Sequence, residues 1–357
     1  MTSRLRIGLL YGGQSAEHEV SVASGRNVWQ AIDRVRHAVT LIRIDRQGRW
    51  FLQASADGAF EAETRGDAVF PVPSADAARL RRVDGGTRHV PQVDVVFPVL
   101  HGSNGEDGTI QGLLQLLDLP FVGPGALGSA AGMDKDISKR VLREAGIPVA
   151  RCVVAHRHDA RPIFDSLAED LGVPFFLKPA NTGSSVGISK VSRREAFDAA
   201  LDRAFCFDNK VLVEEFIRGR EIECAVIGNE HPEVTIPGEI TTGHDFYSYE
   251  AKYLDEEATT LSIPADLPPD VTRRLRALSI ATFKALCCEG MARVDFFVTG
   301  QEEIFVNELN TIPGFTQHSM FPLLWEASGL GFTQLIDRLI GLALERHARD
   351  RALRTTR

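Results

Sequence analysis

Cysteine is scarce in this 357-residue chain: Cys152, Cys206, Cys224, Cys287 and Cys288 are an odd number with no CxxC spacing. That argues against a disulfide frame or a zinc site and reads as reduced thiols used for packing. Long apolar runs are missing as well. No stretch reaches the roughly 20 residues of a spanning helix, and the opening MTSRLRIGLLYGG reads as a strand entering a glycine turn rather than a signal peptide. There is no basic excess, since 40 Lys and Arg stand against 48 Asp and Glu for a net charge of -8. Wholesale binding of nucleic acid or a membrane surface is therefore not expected, and a polyanionic ligand must meet a local cluster of cations. Two common nucleotide signatures are absent: GLLYGG lacks the GxGxxG spacing, and no P-loop is present. Neither an internal repeat nor a low-complexity segment appears before the last few residues. What remains is 44% hydrophobic and 25% charged, an ordinary soluble composition expected in the cytoplasm, with length for two or three domains at about 150 residues each.

Residues 5–11 form a short apolar run ending in Gly12-Gly13, and residues 15–34 carry Val20, Val22, Ala23, Val28 and Ile32 at helical spacing. Strand, glycine turn and helix open an α/β unit. The cluster Ser15-Ala16-Glu17-His18-Glu19 falls where a helix starts beyond a strand's carboxyl end, a place where ligands collect in open α/β sheets. As a first-turn acid, Glu17 equally suits a helix dipole with no ligand. A second strand is predicted over 39–44, then a variable insertion over 53–89 with short strands and no chemistry. Residues 93–100 read as a buried parallel strand. It delivers HGSNGEDG, whose three glycines let a backbone approach a ligand, before a helix over 109–117.

From Asp134 a helix carries Lys135 and Lys139 to Gly146, and IPVARCVV begins a new strand. PFFLKP presents Lys178 at a strand end, followed by ANTGSSVGI, a Gly/Ser loop whose amides and hydroxyls suit phosphates. The lysine precedes that loop, the reverse of a P-loop, and a plain hairpin with a snorkelling lysine is the bland alternative. In VLVEEFI, Glu214 and Glu215 interrupt a strand, and Gly219-Arg220-Glu221 turns the chain into another over 222–227. Glu214 and Glu221 suit the amine and hydroxyls of a nucleoside, or are strand-edge charges. Residues 237–254, with His244, Asp245, Tyr247, Tyr249, Glu250, Lys252 and Tyr253, lack periodicity and are expected to form an ordered lid loop. Helices are expected over 267–287 and 332–347.

Between those helices lies the densest stretch, MARVDFFVTGQEEIFVNELNTIPGFTQHS over 291–319. Strand alternation puts Arg293 and Asp295 on one face and, after a turn over 299–302, Glu308 and Asn310 on one face of the next strand. Two carboxylates and an amide beside a guanidinium, on strands that otherwise look buried, suit a hard cation such as Mg2+. A solvated, salt-bridged hairpin is the alternative.

In order, GGQSAEHEVS, HGSNGEDG, MDK, FLKPANTGSSVG, FYSYEAKY, ARVDFF and NELNTIPGFTQHS resemble the ATP-grasp superfamily and, within it, the D-alanine:D-alanine ligases, over essentially the whole chain. Glu215 departs from forms with a basic residue there, where only main-chain contacts to adenine are expected. The resemblance implies an α/β chain, α+β in its ATP-grasp part: an N-terminal open parallel α/β domain (1–133), then a central (134–220) and a C-terminal (221–357) ATP-grasp domain with a lid near 237–256. Lys135, Lys178, Ser185, Glu214, Ile217, Glu221 and Lys252 would bind ATP, and Asp295, Glu308 and Asn310 two Mg2+ ions, with Mn2+ a substitute. Arg293 and the Gly314 amide would form an oxyanion hole; Glu17, His101, Ser319 and Met320 would hold substrate; Glu17, Ser184 and Tyr253 would link the domains when the lid closes. The implied activity is joining two D-alanines through an acyl phosphate for peptidoglycan precursors, by a homodimer. A D-alanine:D-lactate or other carboxylate:amine ligase is the alternative, although the lid tyrosine resembles the dipeptide-forming members. A silent ATP-binding protein is disfavoured by the complete Asp295, Glu308 and Asn310 set.

Overall fold

A computed structural model describes residues 4–56, 58–61, 66–73, 80–86, 90–242 and 259–354. Its first sheet holds β1 (Leu5–Gly12), β2 (His37–Ile44), β3 (Trp50–Leu52), β4 (Asp67–Pro71), β5 (Leu80–Arg82) and β6 (Val95–Pro98), in the order β5-β4-β3-β2-β1-β6. β2 and β6 run parallel to β1, whereas β3, β4 and β5 add antiparallel strands from the expected insertion. Central β1 is apolar on both faces, as a covered parallel strand must be. Ile7, Leu9 and Tyr11 pack with Val22 and Val28 of α1 (His18–Ala31), while Leu10 packs with Ile110 and Leu114 of α2 (Thr109–Leu116).

Two helices, α3 (Ala126–Met133) and α4 (Lys135–Glu144), lead to the second sheet. Asp134 caps α4 by accepting from the Asp136 and Ile137 amides, which sets where that helix begins. The sheet comprises β7 (Cys152–His156), β8 (Phe175–Pro179), β9 (Ser189–Val191) and β10 (Lys210–Glu215), in the order β7-β10-β8-β9 with antiparallel neighbours. Phe175, Leu177, Val211 and Val213 turn to one face and pack with α5 (Phe164–Leu171) and α6 (Phe197–Phe205). Period-two alternation then leaves Phe176, Lys178, Leu212 and Glu214 on the other face.

The third sheet contains β11 (Gly219–Gly228), β12 (Glu233–Val234), β13 (Gly238–Thr242), β14 (Thr259–Ser262), β15 (Gly290–Thr299) and β16 (Ile304–Asn310). Their order is β14-β13-β11-β15-β16, with β12 also on β11. One face, through Ile222, Cys224, Val294 and Phe296, packs with Val271 and Leu275 of α7 (Pro269–Ala285). The opposite face is divided along its length. Ala225, Ile227 and Met291 join α8 (Met320–Ala327), α9 (Phe332–Arg351) and the apolar face of the first sheet in one cluster. Farther along the same strands, that face carries Glu221, Glu223, Arg293 and Asp295.

Residues 238–242 are a strand rather than lid loop: main-chain pairing with β11 and β14 needs no apolar periodicity. Residues 243–258 lie outside the described residues. α3, α5, α6 and α8 were not anticipated either; ALGSAAGM, for instance, has no polar face from which a helical period could be read. All five cysteines are free. Only Cys224 and Cys288 are buried, and Cys206 and Cys287 are exposed, so packing accounts for two of them. No described helix is long and apolar enough to cross a membrane.

Candidate functional site

The β15–β16 hairpin forms as its alternation predicts, pairing Arg293 with Asn310 and Asp295 with Glu308. Arg293 donates from Nε and Nη2 to the two Asp295 oxygens at 2.7 Å each, a bidentate pair, and its Nε lies 2.8 Å from Glu223 Oε2. Burial lowers the acidity range open to the guanidinium, but Asp295 and Glu223 more than offset it, so Arg293 stays protonated well above its usual range. Among the described residues, no hydrogen bond leaves its Nη1. Asn310 Nδ2 donates to Asp295 Oδ2 at 2.9 Å. Glu223 went unnoticed in the sequence, although it follows Glu221 at strand spacing and lies opposite Asp295.

A register shift after Asp295 leaves Asn307 as an extra residue in β16. Successive strand residues normally face opposite ways, but at a bulge they need not. Asn307 and Glu308 therefore both line the large cavity. Asn307 Oδ1 accepts from Lys178 Nζ at 3.3 Å, and Glu308 Oε2 is 3.2 Å from Lys135 Nζ, which also donates to Thr182 O at 2.8 Å.

Lys178 and Glu214 share the open face of the second sheet and form a buried ion pair. The second Glu214 oxygen lies 2.8 Å from Lys139 Nζ. Burial opposes ionisation of Glu214, but Lys139 and Lys178 overcome it and hold the carboxyl down at about 2. Burial likewise pushes the Lys178 ammonium down, and Glu214 more than reverses this. Glu214, expected at the adenine amine, lines the cavity with both oxygens already facing lysines.

That cavity, of about 390 Å³, is lined by β8, β10, β11, β13, β15 and β16. Of the expected residues it collects Lys135, Lys178, Ser185, Glu214, Ile217, Glu221, Asp295 and Glu308. Ser184 and Ser185, in the loop beside it, both have positive φ, 49° and 58°. Two consecutive non-glycine residues in the left-handed region are uncommon and cluster at ligand sites.

Glu17 sits at the N-cap of α1 but makes no capping hydrogen bond. Instead its carboxylate accepts from Ser184 Oγ across 167 residues. It is 8% exposed and flanked by Gly102 and Gly183, where an added Cβ would stand 2.6 and 2.9 Å from Glu17 Oε2. These two glycines leave room for that carboxylate. His101, expected to touch substrate, is 4% exposed, with Nε2 3.1 Å from Ser24 Oγ and Nδ1 3.1 Å from Glu106 Oε1 and 3.0 Å from Ile312 O. Ser24 Oγ accepts the Phe315 amide at 3.2 Å. His101 thus ties α1 to the loop after β16. Burial, opposed by His101 and reinforced by Glu17, raises the Glu106 carboxyl to about 7.

In that loop the Gly314 amide makes no hydrogen bond among the described residues. A Cβ on Gly314 would approach Ser319 Oγ to 2.7 Å, so a side chain there would push that hydroxyl out of its place. Ser319 Oγ accepts from the Thr316 amide at 2.9 Å, and Met320 opens α8. Lys252 and Tyr253 lie outside the described residues.

A family model described as "D-ala D-ala ligase N-terminus" matches residues 6–124, and one described as "D-ala D-ala ligase C-terminus" matches residues 141–341. The chain belongs to the D-alanine–D-alanine ligase family. Among relatives in this family, D-alanine–D-alanine ligase A of Escherichia coli K12 is 47% identical over 99% of both chains. The D-alanine–D-alanine ligase of Shouchella clausii is 48% identical over 99% of this chain and 98% of its own. The solved D-alanine-D-alanine ligase from Coxiella burnetii superposes with a TM-score of 0.85 at 38% identity, covering 98% of each chain. The VanG D-Ala:D-Ser ligase from Enterococcus faecalis gives 0.86 at 36% identity, covering 96% of this chain and all of that one. The ligase family accounts for three sheets with a cavity between the second and third, the ATP-grasp arrangement expected from the sequence.

Proposed function

We propose that this chain uses ATP to join two D-alanines into D-alanyl-D-alanine, releasing ADP and phosphate, as a step toward peptidoglycan precursors. The observation that carries this reading is the single cavity where Lys135 and Lys178 face Asp295 and Glu308, with the Glu17–Ser184 pair beside its Gly/Ser loop. Nucleotide phosphates fit between the two lysines and the Ser185 loop. Adenine fits against the main chain at Ile217 with Glu214 behind it, and ribose hydroxyls reach Glu221. The domain boundaries at 134 and 221 suit this reading, each sheet falling almost wholly within one segment.

Asp295, Glu308 and Asn310 fit Mg2+ by donor chemistry, all three being hard oxygen donors. Among the described residues no group of three or more His, Cys, Asp or Glu forms a ready metal centre. The set proposed here has two carboxylates and one amide, and water and substrate phosphates would complete a Mg2+ shell. When bound, the ions would neutralise charge developing on the phosphates.

A carboxylate is a poor electrophile, so the first D-alanine is activated by transfer of the γ-phosphoryl group to its carboxylate, giving an acyl phosphate and ADP. Glu17 holds that substrate's ammonium, and Ser184 holds Glu17. Lys178 and Lys135 position the phosphates, with Lys252 assigned to the lid side. The second D-alanine, its carboxylate at Ser319 beside Met320, attacks through its neutral amine. The tetrahedral oxyanion meets Arg293 and the Gly314 amide, neither the Nη1 of the one nor the N–H of the other being hydrogen-bonded among the described residues; its collapse expels phosphate. Tyr253 is assigned to fastening the lid on Ser184 and Glu17, and His101 to holding the substrate loop in place. A homodimer in the cytoplasm completes the proposal, two-fold pairing being the commonest symmetric assembly.

Product analysis tests the choice of second substrate. With ATP, Mg2+ and D-alanine offered together with D-serine or D-lactate, mass spectrometry is expected to find D-alanyl-D-alanine as the main product. A predominant mixed product would reassign the chain to a D-alanine:D-serine or D-alanine:D-lactate ligase, the former resembling the VanG neighbour.

A further inference from the structure

Lys139 lies one helical turn beyond Lys135 on α4, so both project from one face, yet Lys139 does not line the cavity. It is 2% exposed, among the largest fully buried side chains of the protein. A buried ammonium must find a carboxylate or lose its charge. Lys139 Nζ stands 2.8 Å from Glu214 Oε2 and, among the described residues, makes no hydrogen bond of good geometry. Glu214 is equally buried, and its other oxygen faces Lys178. Three charged groups thus lie in a row from the protein interior to the cavity wall, ammonium, carboxylate, ammonium, with one net positive charge.

A Lys178–Glu214 pair standing alone would be neutral, and each partner would hold the other against any incoming anion. A second ammonium behind Glu214 changes that balance. Glu214 keeps a cation when Lys178 swings toward a phosphate, so no buried carboxylate is left bare.

We propose that Lys139 is a positioning residue for the nucleotide: it stays with Glu214 and thereby frees Lys178 for the phosphates. This rests on the ATP reading of the cavity and extends it to a side chain that does not line the cavity.

The test is a four-way comparison by isothermal titration calorimetry: the unmodified chain, Lys139→Met, Glu214→Gln and the double variant, each titrated with ATP and with adenosine in the presence of Mg2+. Lys139→Met is expected to weaken ATP by about tenfold or more while leaving adenosine within about twofold, and in the Glu214→Gln background its effect on ATP shrinks to about threefold or less. A packing role would weaken both ligands alike, or subtract the same factor in both backgrounds; either result overturns the proposal. Unchanged ATP affinity in Lys139→Met overturns it too. Circular dichroism checks folding, and if Lys139→Met is unfolded, Lys139→Gln takes its place in the same comparison. Failure of the unmodified chain to bind ATP would instead refute the reading of the cavity.

Discussion

Replacing Arg293 by alanine is expected to lower turnover by about 10²–10³-fold while ATP still binds, the loss of one oxyanion donor being worth about 2.7–4 kcal/mol of barrier. The surroundings of Arg293 add a second, separate loss. Its guanidinium stands between Asp295 and Glu223, which face each other across β11 and β15. Without it, two largely buried carboxylates confront one another, at a stability cost of roughly 3–5 kcal/mol. Arg293→Lys separates the two effects, because it restores a charge but cannot span Asp295 bidentately. It should recover stability better than rate. Turnover close to that of the unmodified enzyme in folded Arg293→Ala would remove the oxyanion role.

The second large effect is expected from Glu214→Gln, which leaves Lys139 and Lys178 facing each other without the carboxylate between them. A loss of roughly 3–5 kcal/mol at pH 7 follows from breaking a buried ion array at one member. Its pH dependence is specific. Glu214 has its carboxyl held at about 2 against 4.5 for an ordinary glutamate. A depressed acid pKa contributes stability that is fully present above about 4.5 and is lost as pH falls through about 2. The gap in urea midpoint between the unmodified chain and Glu214→Gln should therefore narrow across that window. A gap that stays constant from pH 7 down to pH 2 would show that the ion array is not what Glu214 contributes.

The site was legible in the sequence wherever a local period carries it. Arg293 with Asp295, and Glu308 with Asn310, follow from alternation, and Lys178 from its place at the end of an apolar strand. The reading failed where a contact depends on a second element. Glu223 matters because β11 lies beside β15 in a register no local pattern reveals. Asn307 faces the cavity only through a bulge, which a two-residue period cannot express. Lys139 shares a helical face with Lys135, a signal present in the sequence, but the carboxylate it meets is on β10. Glu17 and Ser184, 167 residues apart, were joined only through the resemblance to a family. For the fold, β1, β2, β6, β11, β15 and β16 were readable from their apolar runs, whereas β13 falls within the expected lid loop. α3 and α8 were not readable, because neither has a polar stripe; they form under tertiary packing.

The central claim, that the cavity holds ATP for activating D-alanine, is tested most directly by phosphate release from ATP with D-alanine against L-alanine, with and without Mg2+. Release is expected with D-alanine and Mg2+ together, falling to background with L-alanine or when a chelator removes the metal. Release that is indifferent to the amino acid, or its absence under every condition, would contradict the account.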